Sequence, residues 1–296
     1  MAKIGIDLGG TRIKVARVEA DNILEERSIA TPKGGPNAVL AAIAETVRAV
    51  DANPKAVGFA IPGEVDALGK CYRLPNIEGF EGVGIASILE PLLGCPVFVE
   101  NDGNAAAHGE ALFGWGKKYK SFAMVTLGTG IGGGLVLDGR LRPGAHGFAA
   151  EIGHIPIDSS PDAWLCACGQ RGCVESYAGT RGLLRRFKEF GGETVTEVAD
   201  VAAAAREGKP SGVQAFQMMA EALGRCVTTM QNLLDLDAIV FTGGISQSFD
   251  MLLPALRESV RKSAFAPPLA EVPLVLSELG SKAGVVGSAH LDLVKG

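Results

Sequence analysis

The sequence has no long run of lysine or arginine, and 33 acidic residues outnumber 28 basic ones, for a net charge of -5. An electrostatic footprint for nucleic acid is therefore missing, and no such partner is expected. The densest basic segment, Arg181, Arg185, Arg186 and Lys188, falls at helical spacing and reads as a solvated helix face. A leader is not expected either. Met1-Ala2-Lys3 runs straight into the apolar stretch Ile4 to Leu8, without a basic start, a long apolar run or a small-residue cleavage site, so the expected location is the cytoplasm. The longest uncharged stretch, residues 121–137, is broken by glycines and by Thr126 and Thr129, which excludes a membrane span and marks a glycine-rich site. At 47% hydrophobic and 21% charged, the composition excludes a disordered or fibrous chain. Three of the six cysteines, Cys71, Cys95 and Cys226, are scattered among apolar neighbours, as buried reduced thiols would be.

A chain of 296 residues exceeds the usual size of one hydrophobic core, so two lobes are expected. Strand and helix signals alternate throughout, with β-rich apolar runs at 4–8, 57–61, 97–99 and 122–127, the pattern of an α/β fold. Helical periodicity marks 38–50, where Val39, Ile43, Val47 and Val50 share a face, as well as 83–93 and 104–113. A longer helix is predicted over 213–234, with Phe216, Met219, Ala220, Leu223, Val227, Met230 and Leu234 on one core stripe. Residues 6–11 with the run 13–18, and 125–130 with the run 131–137, each read strand, Gly/Thr turn, strand. This duplication predicts two lobes of similar topology: residues 1–118, and residues 119–296 with a last helix at about 283–295 that packs back on the first lobe.

Glycine is abundant, 40 residues, nearly double the roughly 7% of an average protein. A turn rich in Gly and Thr exposes backbone N–H groups and hydroxyls that suit polyphosphate oxygens, and Asp7, before the first such turn, could hold Mg²⁺ through water. Ordinary hairpin turns with a solvated Asp7 are the alternative; the matched pair favours the phosphate reading. Gly128-Thr129-Gly130-Ile131-Gly132-Gly133 also fits the dinucleotide pattern GxGxxG, with Glu151 at the distance of a ribose-binding acid. That fingerprint requires a helix after the glycines, whereas residues 134–139 read as a second strand ending in an Asp-Gly turn. The run Glu100-Asn101-Asp102-Gly103-Asn104 stands between a strand and a helix. A carboxylate there could accept a proton from a substrate hydroxyl while Asn101 fixes the hydroxyls beside it. Alternatively, it is a turn in which Asn104 or Asp102 caps the helix. Finally, Cys166, Cys168 and Cys173, preceded by His154, make a Cys₃His set suited to a tetrahedral structural zinc; three metal-free thiols are the alternative. Such a closed set leaves no position for catalysis, so the metal would order a loop.

Taken together, Asp7-Leu8-Gly9-Gly10-Thr11, Pro62-Gly63-Glu64-Val65-Asp66, Glu100-Asn101-Asp102-Gly103-Asn104, Gly128-Thr129-Gly130-Ile131-Gly132-Gly133-Gly134, residues 151–154, the CxCGxxGCxE box ending at Glu175, and Thr242-Gly243-Gly244 resemble the ROK family of sugar kinases and sugar-responsive repressors. The likeness covers essentially the whole chain, and the motif order and the cysteine box are its specific part. It implies the actin-like ATPase fold, two RNase H-like lobes with a central cleft closing on sugar and ATP. It implies that Asp102 is the base and that Asn76, Asn101, Asp102, Glu151, His154 and Glu175 bind the sugar. One His154 nitrogen would face zinc and the other the sugar. The resemblance also implies that Asp7, Gly9, Gly10, Thr11, Gly128, Thr129, Gly130, Gly243 and Gly244 line the ATP side, with Mg²⁺. Two departures are Ala150, where the family has Gly, and Arg12, where Lys is common. The expected activity is glucose phosphorylation, with N-acetylmannosamine, N-acetylglucosamine or fructose as alternative substrates, in a homodimer. A non-catalytic sugar sensor is the rival; such repressors carry an N-terminal helix-turn-helix domain, and with a phosphate motif beginning at Asp7 none is expected here.

Overall fold

The computed structural model describes residues 2–66, 68–75 and 77–295. In chain order the first part runs β1 (Lys3–Leu8), β2 (Arg12–Glu19), β3 (Asn22–Ala30), α1 (Gly35–Val50), β4 (Val57–Ile61), β5 (Glu64–Val65), β6 (Cys71–Arg73), α2 (Ile85–Leu93), β7 (Val97–Asn101) and α3 (Asp102–Phe113). There follow β8 (Phe122–Leu127), β9 (Ile131–Leu137), β10 (Arg140–Leu141), α4 (Val174–Ala178), α5 (Thr180–Glu189), α6 (Val198–Arg206), α7 (Pro210–Leu234) and β11 (Ala238–Thr242). The last elements are α8 (Phe249–Ser263), α9 (Pro267–Ala270), β12 (Leu274–Leu276), α10 (Ala283–Ala289) and α11 (Asp292–Lys295). No helix among the described residues is long and apolar enough to cross a membrane.

Two five-stranded sheets repeat one order, β3-β2-β1-β4-β7 and β10-β9-β8-β11-β12. In the first, β1 pairs antiparallel with β2 and parallel with β4, which is itself parallel to β7. In the second, β8, β11 and β12 are parallel, and β9 follows β8 through a turn too short for a parallel crossover. The duplication read from the two Gly/Thr turns is thus a duplication of sheet topology. The strand that follows Gly128 to Gly130 leaves no helix for a dinucleotide fingerprint.

Side-chain alternation decides what each face meets. Ile4, Ile6 and Leu8 of β1 and Val57, Phe59 and Ile61 of β4 join Val39, Leu40, Ile43 and Val47 of α1 in one core. The opposite face of the same strands carries Gly5, Asp7 and Gly58, and α10 packs on β1, β4 and α3. A Cβ at Gly58 would stand 1.6 Å from the Ser288 carbonyl oxygen, so this close approach depends on a missing side chain. The edge strand β3 is mostly exposed and carries Glu25, Glu26 and Arg27, charges that discourage pairing with another chain.

The chain divides into two compact units. One comprises the chain through Ser121 together with Gly134–Ala150 and Ser277 onward; the other comprises Phe122–Gly133 and Glu151–Leu276. In the second unit, α7 buries Phe216, Met219, Ala220, Leu223, Val227 and Met230, as the stripe predicts. Leu234, assigned to the same stripe, is instead 37% exposed: it is the last residue of the helix, and the left-handed Asp235 that follows turns the chain away. Cys71, Cys95 and Cys226 are buried free thiols, and burial pushes Cys71 up to about 11 and Cys226 up to about 12, so both stay protonated at neutral pH.

Candidate active site

In the first unit the chemistry collects where β7 meets α3. Asn101 is the N-cap residue: its Oδ1 accepts from the Gly103 N–H at 2.9 Å and the Asn104 N–H at 3.1 Å. The helix is therefore capped by Asn101, not by Asn104 or Asp102 as the turn alternative has it. The Asn101 Nδ2 donates to the Gly63 carbonyl at 3.1 Å, tying the junction to the loop after β4. Buried Glu100 accepts at Oε1 from the Asn101 N–H (2.9 Å) and from Asn104 Nδ2 (3.1 Å). These bonds leave Asp102 as the first helical residue, half-buried, with Oδ1 accepting from its neighbouring Gly103 N–H at 2.8 Å. A helix N-terminus favours the ionised carboxylate there, which suits a proton acceptor.

On the same unit, the turn after β1 is fastened by the Gly9 N–H donating to the Arg12 carbonyl at 2.8 Å and by Thr31 Oγ1 donating to the Gly9 carbonyl at 2.7 Å. Gly10 and Thr11 are exposed. Burial raises the Asp7 carboxyl above its ordinary range, Lys14 across the strand pair opposes that, and Glu26 adds to it. A divalent cation beside Asp7 would offset the burial. Arg12 is turned onto β3, where it donates to Ser28 Oγ at 2.9 Å and to the Ser28 carbonyl at 3.2 Å. Asn76 lies outside the described residues.

In the second unit, the turn at 128–130 closes through the Gly128 N–H and the Gly130 carbonyl at 3.0 Å. The Gly128 carbonyl accepts twice from Thr180, from N–H at 3.0 Å and from Oγ1 at 2.9 Å. Glu175 Oε2 accepts from the Ile131 N–H at 3.0 Å. At the matching end of β11, Gly243 has φ +94, and a Cβ there would meet the Leu127 carbonyl at 2.4 Å, so the two glycine turns lie side by side at the ends of parallel strands. Strand ends of this kind are where α/β proteins bind ligands.

His154, Cys166, Cys168 and Cys173 bring their ligand atoms within 4.8 Å of one another. Sulfurs around a tetrahedral ion with bonds of about 2.3 Å sit about 3.8 Å apart. The Cys168 and Cys173 sulfurs are 3.8 Å apart, and His154 Nδ1 is 3.8 Å from Cys166 Sγ, so the cluster fits one metal ion. Burial, with the neighbouring sulfurs, pushes Cys173 well above its ordinary value, and burial likewise raises Cys166; a cation is what would make these thiols thiolates. Glu151, one turn before, is exposed, and its carbonyl accepts from the His154 N–H at 3.0 Å.

Motif reading missed the support beneath this cluster. Trp164 stacks on Tyr177 with ring centroids 4.7 Å apart, and Tyr177 donates to Asp158 at 2.6 Å. Arg185 and Arg186 lie over the Trp164 ring at 3.7 and 4.4 Å and also pair with Glu189. The basic helix face is thus not merely solvated: two of its arginines clamp the cysteine loop by cation–π contact. An aromatic between His154 and Cys166, with another four residues past Cys173, was the available signal.

The ROK family profile matches residues 3–295. A glucokinase of Streptomyces coelicolor is 36% identical over 311 residues, which cover 97% of this chain and 96% of that protein. An N-acetyl-D-glucosamine kinase of Vibrio cholerae is 32% identical over 310 residues, covering 98% of this chain and 99% of its own. Among solved structures, a ROK family glucokinase from Streptomyces griseus in complex with glucose and AMPPNP superposes with a TM-score of 0.84 at 34% identity, over 98% of this chain and 99% of that one. The repeated sheet order is accordingly that of the actin-like ATPase fold. With its motifs in family order and the match running from end to end, the chain belongs to the ROK family.

Proposed function

We propose that this protein transfers the γ-phosphoryl group of ATP to the 6-hydroxyl of glucose, with Asp102 as general base. The observation that carries this reading is the β7–α3 junction: Asn101 caps the helix and Glu100 holds the cap, so a half-buried carboxylate stands at a helix N-terminus with its chain direction fixed. Asp102 takes the hydroxyl proton, the freed oxygen attacks the γ-phosphorus, and the bond to the bridging oxygen breaks to release ADP. Asn76, Asn101, Glu151, His154 and Glu175 serve as ligands of the sugar hydroxyls. Asp7, Gly9, Gly10, Thr11, Gly128, Thr129, Gly130, Gly243 and Gly244 serve the nucleotide, whose Mg²⁺ neutralises charge on the phosphates. Zinc is the metal of the Cys₃His cluster, with a structural role. The enzyme works in the cytoplasm as a homodimer.

The test is Asp102→Asn. Glucose affinity should stay near the wild-type value in calorimetry while kcat falls by roughly 10²–10⁴ in a coupled ADP-release assay; turnover within tenfold of wild type would remove Asp102 from the role. A second reading, an N-acetylhexosamine kinase, is favoured by the likeness to the Vibrio cholerae enzyme. kcat/KM for glucose, N-acetylglucosamine, N-acetylmannosamine and fructose decides between them, and glucose should rank first.

A further inference from the structure

Glu175 faces two ways within the second unit. Cys173 is the N-cap residue of α4, and Glu175 is the second residue of that five-residue helix. One carboxylate oxygen, Oε1, lies 3.5 Å from Cys166 Sγ in the metal cluster; the other, Oε2, accepts the Ile131 N–H at 3.0 Å in the glycine turn. The turn is shaped around that oxygen. A Cβ at Gly130 would stand 2.3 Å from Oε2, so only glycine admits the carboxylate against the backbone. The far end of α4 reaches the same turn: the Gly179 N–H donates to the Glu175 carbonyl at 2.9 Å, and the next residue, Thr180, donates twice to the Gly128 carbonyl. A helix of about 7.5 Å therefore begins at a metal ligand and ends on the loop assigned to the nucleotide.

We infer that Glu175 is a positioning residue for the nucleotide, and that occupancy of the Cys₃His cluster sets the shape of the 128–131 turn through it. A bound ion ties Cys173 to His154, Cys166 and Cys168 and so fixes where α4 starts. Without that crosslink the cysteine loop keeps its hydrogen bonds and the Trp164 clamp, but the helix start is less firmly placed, and with it the acceptor for the Ile131 N–H. The contact of Oε2 with the turn is additional to the part proposed for Glu175 at the sugar hydroxyls, since it engages the Ile131 N–H. The inference rests on the reading of the turn as the ATP loop.

Its test is calorimetric titration of AMPPNP, without hexose, into protein carrying zinc and into protein stripped with a chelator. Stripping should weaken nucleotide binding roughly tenfold, the usual scale of one hydrogen bond to a charged group. Glu175→Ala should show the same loss with zinc bound and little further loss when stripped. Glu175→Gln keeps an acceptor for the Ile131 N–H and an amide toward Cys166, and should bind nucleotide within about twofold of wild type. Amide exchange on the wild type gives a readout independent of activity and of the Glu175→Ala variant: the Ile131 N–H should be protected with zinc and exchange faster without it. Nucleotide affinity that ignores zinc in an active kinase overturns the inference alone, as does an equal effect of stripping in wild type and Glu175→Ala. Zinc-loaded wild type that binds no nucleotide at all overturns the kinase reading along with it.

Discussion

Glu110 is fully buried in the last turn of α3, where the helix dipole disfavours a negative charge. Its carboxylate is held there by three donors. Oε1 accepts from Ser277 Oγ and from the Leu279 N–H at 2.9 Å; Oε2 accepts from the Trp115 N–H at 3.1 Å. These partners flank the points where the chain passes between compact units, after Ser121 and after Leu276. Glu110→Ala removes three acceptor contacts and leaves the buried Leu279 N–H without its acceptor. At about 1–3 kcal/mol for the one buried group so stranded, with smaller losses at the part-exposed Ser277 and Trp115, the loss comes to about 2–4 kcal/mol. Glu110→Gln keeps one oxygen for Ser277 and Leu279 but turns an amide N–H₂ toward the Trp115 N–H, at a cost of about 1–3 kcal/mol. Urea unfolding followed by circular dichroism should rank wild type above Gln and Gln above Ala, with Ser277→Ala closest to wild type. An alanine variant within about 1 kcal/mol of wild type would refute the claim that this carboxylate fastens the segments.

Burial keeps His108 and His290 below their ordinary pKa, and they sit together: His108 Nε2 lies 3.1 Å from the His290 carbonyl, with Asp292, Lys3 and Glu100 as the surrounding charges. The unfolded chain binds protons here near pH 6.5 and the folded chain does not, so this stability is complete above about pH 6.5 and falls as pH drops toward the folded values. Urea midpoints that are flat from pH 7.5 to 5.5, or a slope that survives in His108→Gln/His290→Gln, would count against this; Asp7, raised by burial, acts with the opposite sign. Ala150 has φ +63, a left-handed backbone costly for any residue with a Cβ. Ala150→Gly should therefore raise the thermal midpoint by about 1–3 °C, since strain relief of about 1–2 kcal/mol exceeds the roughly 0.4–1 kcal/mol of added unfolded-state entropy; a lower midpoint contradicts that balance.

The Ala150 angle also shows where reading the sequence succeeds. The departure from the family pattern was visible as a letter, but its physical meaning, an L-residue in glycine's conformation, needed the backbone. β1, β4, β8 and α7 could be predicted because their apolar spacing is local, and the Cys₃His set because all four ligands fall within twenty residues. Glu110 with Leu279, and Trp164 with Arg185, could not: their partners are brought together by packing, and neither pair has a spacing to recognise. The cap at α3 lies between these cases. Asn101, Asp102 and Asn104 are all good capping residues, and only the geometry shows that Asn101 takes the role.

Packing also produced one device twice. In the first turn a threonine hydroxyl, Thr31 Oγ1, donates to the Gly9 carbonyl; in the second, Thr180 Oγ1 donates to the Gly128 carbonyl. The threonines do not correspond, since Thr31 follows a strand and Thr180 opens a helix. The repeated sheet order does not by itself explain why different elements deliver the same hydroxyl to the same place. The electrostatics of the proposed nucleotide role does. A loop that offers N–H groups to a polyphosphate must hold its carbonyl oxygens away from phosphate oxygens of like charge, and a hydroxyl donor fixes such a carbonyl at no cost in net charge. Under the proposed nucleotide role that constraint would fall on the Gly9 and Gly128 carbonyls, and whichever neighbouring element can place a hydroxyl there satisfies it.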